Sequence, residues 1–278
     1  MTRKLYFTVD ADRDANIPIP GSVAAGSIDR GSGTGPRFSS SERGMSVLAE
    51  LLDDTGVRGT FFMEGRTAEV TECSVLSGHC IGLHGYDHED LLGRETGVVP
   101  DVEDVLRRGY DAVSDVLSRP TCFRAPYMAA DDRVLETVRS LGIRADSSFY
   151  TDVGGPTDPY ELQGMTEFPV PKARDAGGKV IAAYLWPMHE GRRVPEDYIR
   201  MADGLDTLVL ATHTWHMVET REGGAMDADW VGDNADAVRR VVEGILDMGF
   251  EADVIGRFRE SRPCTAEGTR SRPSHGRP

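Results

Sequence analysis

Two histidines four residues apart, in the run His84-Gly-Tyr-Asp-His88, are the pair in this sequence best suited to hold a metal ion. Neutral imidazoles ligate zinc and its first-row neighbours. The pair follows a short apolar run, Ile81-Gly-Leu83. If the chain begins a helical turn after His84, the two rings share one face. A divalent ion held by two imidazoles still wants a carboxylate, and a catalytic one also needs a base and an acid nearby. Candidates for those roles stand at the ends of other apolar runs. Leu5-Tyr-Phe-Thr-Val9 ends in Asp10-Ala-Asp12-Arg-Asp14, with Asp10 and Asp12 on one face of an ideal strand. Thr121-Cys-Phe leads to Arg124, whose guanidinium can grip a carboxylate at two points. Ile143-Arg-Ala145 leads to Asp146, and Leu208-Val-Leu-Ala-Thr212 delivers His213, with Trp215 close by as a face for a sugar ring. Each alone has an ordinary reading: a solvated Asp turn, a surface ion pair, a hydrogen-bonded histidine. Recurring at successive strand exits on the rim of a parallel barrel, they form a site.

The elements that must position these residues alternate between strand and helix. Residues 16–40 are rich in Gly, Ser and Pro and form a long loop directly after the Asp cluster, placed to fold over the site. Helical spacing starts at Ser41-Glu42, with Met45, Leu48, Leu51 and Leu52 on one face and Gly56 as its stop. Gly59-Thr-Phe-Phe-Met63 is a strand closed by Glu64-Gly65. Asp101 caps a helix carrying Val102, Val105, Leu106, Tyr110, Val113 and Leu117, and residues 131–141 form another, ended by Gly142. Residues 180–186 read as a strand and 195–201 as a short helix. Asp233 caps the last helix, with Val238, Val241, Val242, Ile245 and Leu246 inward, and residues 252–255 form the last strand. The alternation predicts an α/β fold built as a single domain over residues 1–260. Residues 261–278, dominated by Arg, Pro, Ser and Gly, read as a disordered tail.

Composition narrows the function. The 278 residues carry a net charge of -15, which argues against nucleic-acid or anionic-membrane partners, since phosphate is repelled. The four cysteines include no C-x-x-C pair, so no thiolate zinc knuckle is expected. No apolar run approaches the ~18 residues that span a bilayer. The N-terminus runs straight into a strand without a charged-then-apolar leader, so the expected location is the cytoplasm.

These segments, in this order, resemble the polysaccharide deacetylase (NodB-homology, carbohydrate esterase 4) family over roughly residues 3–256. Phe7-Thr-Val-Asp10-Ala-Asp12 is similar to its first motif, His84-Gly-Tyr-Asp-His88 to the paired-His motif, Arg124-Ala-Pro-Tyr127 to the Arg-x-Pro-Tyr motif and Leu208–His213 to the closing Leu-x-x-His motif. The resemblance implies a distorted (β/α)7-type barrel and metal-dependent hydrolysis of an N-acetyl amide on a sugar or glycan precursor. It implies Asp10 as base, Asp12, His84 and His88 as ligands of a divalent ion, and Arg124 as the residue orienting the base. Tyr127 stands where a backbone N–H helps hold the oxyanion, and Tyr127 and Trp215, the latter near His213, are the substrate-binding candidates. His213 matches the acid and Asp146, more loosely, its acidic partner. Zinc is the first expectation for the metal, with cobalt, nickel or manganese as alternatives. The pattern departs from the family in three places. The usual Asp-Asp is Asp10-Ala-Asp12, Gly85 stands for the usual Ser or Thr, and the Trp-containing fourth motif is not recognisable. Two rival readings stay open: a hydrolase of a small non-sugar amide or cyclic ureide, and a non-catalytic metal- or sugar-binding relic.

Overall fold

The computed structural model describes residues 2–256. The tail read for residues 261–278 lies outside them. The sheet is organised around β1 (Arg3–Ala11), whose Leu5, Phe7, Val9 and Ala11 are fully buried and whose Thr8 is too. Burial on both faces is the signature of a parallel strand covered by helices. β1 is followed by β2 (Thr60–Met63), β3 (Cys80–Leu83), β4 (Cys122–Phe123), β5 (Ala145–Asp146) and β6 (Met165–Glu167), then β7 (Thr207–His213) and β8 (Phe250–Asp253). The spatial order is β7-β1-β2-β3-β4-β5-β6, all parallel, with Tyr160–Leu162 antiparallel beyond β6. One edge of β1 is divided: β8 pairs with Arg3–Tyr6 and β2 with Thr8–Ala11. A smaller sheet built on Val170–Arg174 reaches β7 through a parallel bridge between Tyr184 and Ala211, so the strands curl into a distorted barrel.

Helices α1 (Ser39–Asp54), α3 (Val102–Val116), α4 (Asp132–Ser140) and α7 (Ala228–Asp247) pack on the outside of this sheet through the expected apolar faces. Met45, Leu48 and Leu52 of α1, Leu106 and Val113 of α3, Val134 and Val138 of α4, and Val238, Val241, Val242 and Ile245 of α7 are fully buried. Each such side chain contributes ~1.5–3 kcal/mol of burial. Among the described residues no helix is long and apolar enough to cross a membrane.

Several boundaries differ from the sequence expectation for local reasons. A short helix, α2 (Gly65–Val70), follows β2 where only a strand end was expected. The strand expected over 180–186 stops at Ala182, and α5 (Trp186–His189) begins with Pro187 in its first turn, where proline fits a helix and cannot serve a strand ladder. α6 (Pro195–Met201) lies where the spacing put it. The last helix is capped by Asp227, not Asp233: Asp227 accepts from the Trp230 N–H. Its first turns are exposed, so they carry no apolar period to read.

Two contacts tie α1 to the rim of the sheet. Asp14, the third acid of the first cluster, accepts hydrogen bonds of 2.9 Å from the Ser40 and Ser41 N–H groups, capping α1 from 25 or more residues away. Gly44 lets α1 lie against the turn after β7; a Cβ there would collide with the Thr214 carbonyl. The turn Trp215–Met217 is thereby sealed beneath α1.

Candidate active site

Strand register assembles the site. Asp10 and His213 are direct partners at the carboxyl ends of β1 and β7. Leu83 pairs with Phe123 and Phe123 with Asp146, so His84, Arg124 and Ser147 emerge side by side one residue later. Asp10, His84 and His213 line a cleft of about 530 Å³ whose walls also include Asn16, His88, Tyr127, Tyr184, Trp186 and Arg221.

Asp10 is buried, and every polar contact it makes is with a donor. Arg124 Nη1 lies 2.9 Å from Oδ1, and the Tyr184 hydroxyl donates a short bond to Oδ2. Burial alone would raise this carboxyl, but Arg124, then His84, His213 and Tyr184, outweigh it and hold it down at about 2. Asp10 is therefore ionised throughout the neutral range. Tyr184 O also lies 3.2 Å from His213 Nε2. Its single proton goes to Asp10, so Nε2 of His213 is the donor in the second bond.

Asp12, His84 and His88 form a second group. Their ligand atoms all lie within 4.8 Å of one another, and all three side chains are buried. His84 Nδ1 is 2.8 Å from the Arg124 carbonyl, which places the proton on Nδ1 and leaves Nε2 with its lone pair toward the cleft. His88 Nε2 stands 3.3 Å from Asp12 Oδ2, while Asp12 Oδ1 and His88 Nδ1 are buried without a hydrogen-bond partner. Orphaned buried atoms of this kind are costly unless a further group satisfies them. Burial pushes Asp12 up to about 8, with Asp10 adding to it, and pushes His88 down to about 4; His84 is lowered as well, also chiefly by burial. A carboxylate short of positive charge beside two neutral imidazoles is a donor set that fits a divalent cation.

The rings are brought together by a turn, not by the helical spacing considered for the sequence. Residues 84–88 form an irregular loop in which Gly85 has φ 75° and His88 φ 51°. This loop is tied to the Asp cluster through Arg13, a fully buried guanidinium. Arg13 Nε donates to Glu64 Oε1 at 3.0 Å, its backbone N–H to Glu64 Oε2 at 2.8 Å, and its Nη2 makes short bonds to both Glu64 and Asp87. Arg13 and Glu64 were not anticipated. The one visible signal is a lone Arg inside an Asp run facing Asp87 inside the His motif.

Two expected roles are redistributed. Asp146 is not beside His213. Its Oδ1 accepts from Ser148, whose hydroxyl in turn accepts from the Ala125 N–H, at 2.6 and 2.8 Å. Ser147 holds Arg124 through two bonds, Nε to its carbonyl and Nη2 to its hydroxyl. The Asp146-Ser-Ser run thus braces the Arg124 segment from the neighbouring strand. Trp215 is fully buried, tilted 5.3 Å from His213 under α1, and cannot face a substrate. The cleft tryptophan is Trp186, 37% exposed. Tyr127 does line the cleft, its ring edge-on to His88 at 4.6 Å. Tyr127 and Met128 have φ of 57° and 53°, a left-handed pair costing ~1–2 kcal/mol per residue. Such strain is typical of backbone held in place for function. The loop after the Asp cluster reaches the cleft too: Asn16 donates to Asp12 Oδ2 at 2.6 Å.

Among the described residues no carboxylate contacts His213 to keep it charged. Burial lowers it to about 3 against the pull of Asp10, and His88, His84 and Arg221 lower it further. It is neutral at rest.

Residues 27–145 match the model of the polysaccharide deacetylase family. That stretch contains His84, His88, Arg124 and Tyr127, while Asp10, Asp12 and His213 lie outside it. A chitin deacetylase from a Pestalotiopsis species is 31% identical over 106 residues, 35% of this chain and 34% of that protein. A chitooligosaccharide deacetylase from Azorhizobium caulinodans is 30% identical over 104 residues, 35% of this chain and 48% of the relative. The chain thus spans between a third and a half of the length of these curated relatives. Among solved structures, a Mycobacterium smegmatis protein assigned to the polysaccharide deacetylases superposes with a TM-score of 0.60 at 23% identity, covering 92% of this chain and 87% of the other.

Proposed function

Because the chain belongs to the NodB-type polysaccharide deacetylase family, we propose that it is a metal-dependent hydrolase removing an N-acetyl group from an N-acetylated sugar or glycan precursor. The observation that carries the reading is the junction of two groups in one cleft: a braced, ionised Asp10 and an Asp12-His84-His88 cluster with orphaned ligand atoms. Asp12, His84 and His88 would hold the divalent ion, zinc first and cobalt, nickel or manganese as alternatives. When bound it supplies Lewis-acid polarisation and a more acidic water.

The chain's own groups do the rest. Asp10, fixed by Arg124 and Tyr184, takes the proton of the attacking water. Tyr127 lines the cleft at a strained turn, and its backbone N–H would stabilise charge developing on the acyl oxygen. His213 passes a proton to the leaving amine. That proton is the one on Nε2, and Tyr184, which touches both Nε2 and the Asp10 carboxyl that has just gained a proton, returns one to it. Trp186 gives the cleft an aromatic wall for a sugar ring.

Acetate release from a panel of N-acetyl sugars and small amides tests this. The protein would be stripped with chelator and reloaded with zinc, cobalt, nickel or manganese. Metal-dependent release from the sugars supports the reading. Release from small amides alone moves the substrate class, and a metal-loaded protein inert on the whole panel overturns it.

A further inference from the structure

Three buried or half-buried arginines surround the cleft, and two are fully committed. Arg124 is held by Asp10 and by both Ser147 acceptors. Arg13 is held by Glu64, Asp87 and the Ala25 carbonyl. Arg221 differs. It lines the cleft, yet no carboxylate lies within ion-pair distance of its guanidinium among the described residues. Its Nε is buried without a partner, and its Nη2 reaches the Asn16 carbonyl only at 3.5 Å, the outer limit of a hydrogen bond.

The side chain is nevertheless placed. Its guanidinium carbon lies 4.8 Å from the Trp186 ring centre and 6.0 Å from that of Trp215. Its backbone N–H donates to Glu190 Oε1 at 2.9 Å, and the same oxygen lies 3.1 Å from His216 Nε2. Glu190 therefore anchors the Arg221 backbone while its accepting oxygen is already used. Arg221 also sits near the reacting groups: its charge is felt at His213, and beyond Glu190, the carboxylate it feels most, it feels Asp12 and Tyr127. A guanidinium positioned by aromatic stacking, with its donors unspent, is pre-organised for a planar or tetrahedral anion.

We propose that Arg221 is a specificity-determining residue, and that the substrate is an N-acetylated sugar carrying an anionic group, carboxylate or phosphate, close to the scissile amide. This rests on the deacetylase reading of the same cleft. The net charge of -15 does not oppose it. Exposed charges farther away than the ~8 Å screening length at physiological salt act weakly on a group in contact with Arg221. Exposed Glu95 and the ionised Asp10 are the cleft's negative groups, so a substrate anion is directed to the Arg221 end. Neutral chitooligosaccharides leave the guanidinium unpaired.

The test compares N-acetylglucosamine, N-acetylmuramic acid and N-acetylglucosamine 1-phosphate on the zinc-loaded wild type, Arg221→Met and Arg221→Lys. Both kcat/KM and calorimetric binding are read. Wild type should favour at least one anionic probe over the neutral one by about 10-fold or more, mainly through KM. Whichever anionic probe gains identifies carboxylate or phosphate. Arg221→Met should bring the ratio close to one, and Arg221→Lys should restore part of it. No anionic preference, or a loss in Arg221→Met shared equally by neutral and anionic probes, overturns the inference while leaving deacetylation standing. If no probe is turned over but anionic probes bind in an Arg221-dependent way, Arg221 stands as the anion-binding residue while the deacetylase reading, and with it the substrate, falls. Absence of both turnover and such binding removes both.

Discussion

Asp10 and His213 face each other as register partners on adjacent parallel strands, and a single hydroxyl, that of Tyr184, touches both. The base and the acid of the proposed reaction are thus one connected unit. Tyr184→Phe removes a buried hydrogen bond to a charged group, worth ~1.5–3 kcal/mol. The expected result is a fall of about 10- to 100-fold in kcat with KM and metal content nearly unchanged. Steady-state kinetics beside metal analysis checks it; a change confined to KM would place Tyr184 in substrate binding instead.

Much of this site was legible because strand ends carry chemistry in a parallel sheet. Asp10, Asp12, His84, Arg124 and His213 each follow an apolar run, and the sheet register brings them to one rim. Tyr184, Arg221 and Trp186 were not legible. They sit on an isolated bridge, after a two-residue strand and in a four-residue helix, where no periodic pattern marks the inward side. Trp215 was misplaced because proximity to His213 in sequence says nothing about α1 closing over it. Asp146 was given to His213 on motif order, whereas its strand neighbours are Phe123 and Glu167.

The exchange of the two tryptophans gives a direct comparison. Trp215→Ala empties a fully buried site and should cost ~3–5 kcal/mol of stability. Trp186→Ala removes a partly exposed cleft wall and should raise KM several-fold, with stability lowered by only ~1 kcal/mol. Denaturant unfolding and kinetics on both variants decide it; equal stability losses would contradict the assignment.

Glu167 and Asp146 are register partners, both buried, and each has an oxygen without a donor. Burial first, then the Asp146 carboxylate, raises Glu167 well above the usual carboxylate range, so the folded pair keeps a proton that the unfolded chain releases. With more protons bound in the folded state, stability from this pair is full below the unfolded value near 4.5 and declines as pH rises toward the folded one. Glu167→Gln, which mimics the protonated form, should flatten that decline. Its melting temperature relative to wild type should climb between about pH 5 and pH 8. A difference independent of pH would show that the pair is not protonated.

The most direct test of the central claim is the metal content of Asp10→Asn and His84→Ala measured beside their turnover. Asp10→Asn should hold about one divalent ion per chain, as wild type does, while losing on the order of 100- to 10,000-fold in rate, since it removes the base and leaves the ligands. His84→Ala should lose both the ion and the activity. Full metal occupancy in His84→Ala, or an Asp10→Asn protein that turns over like wild type, would contradict the account.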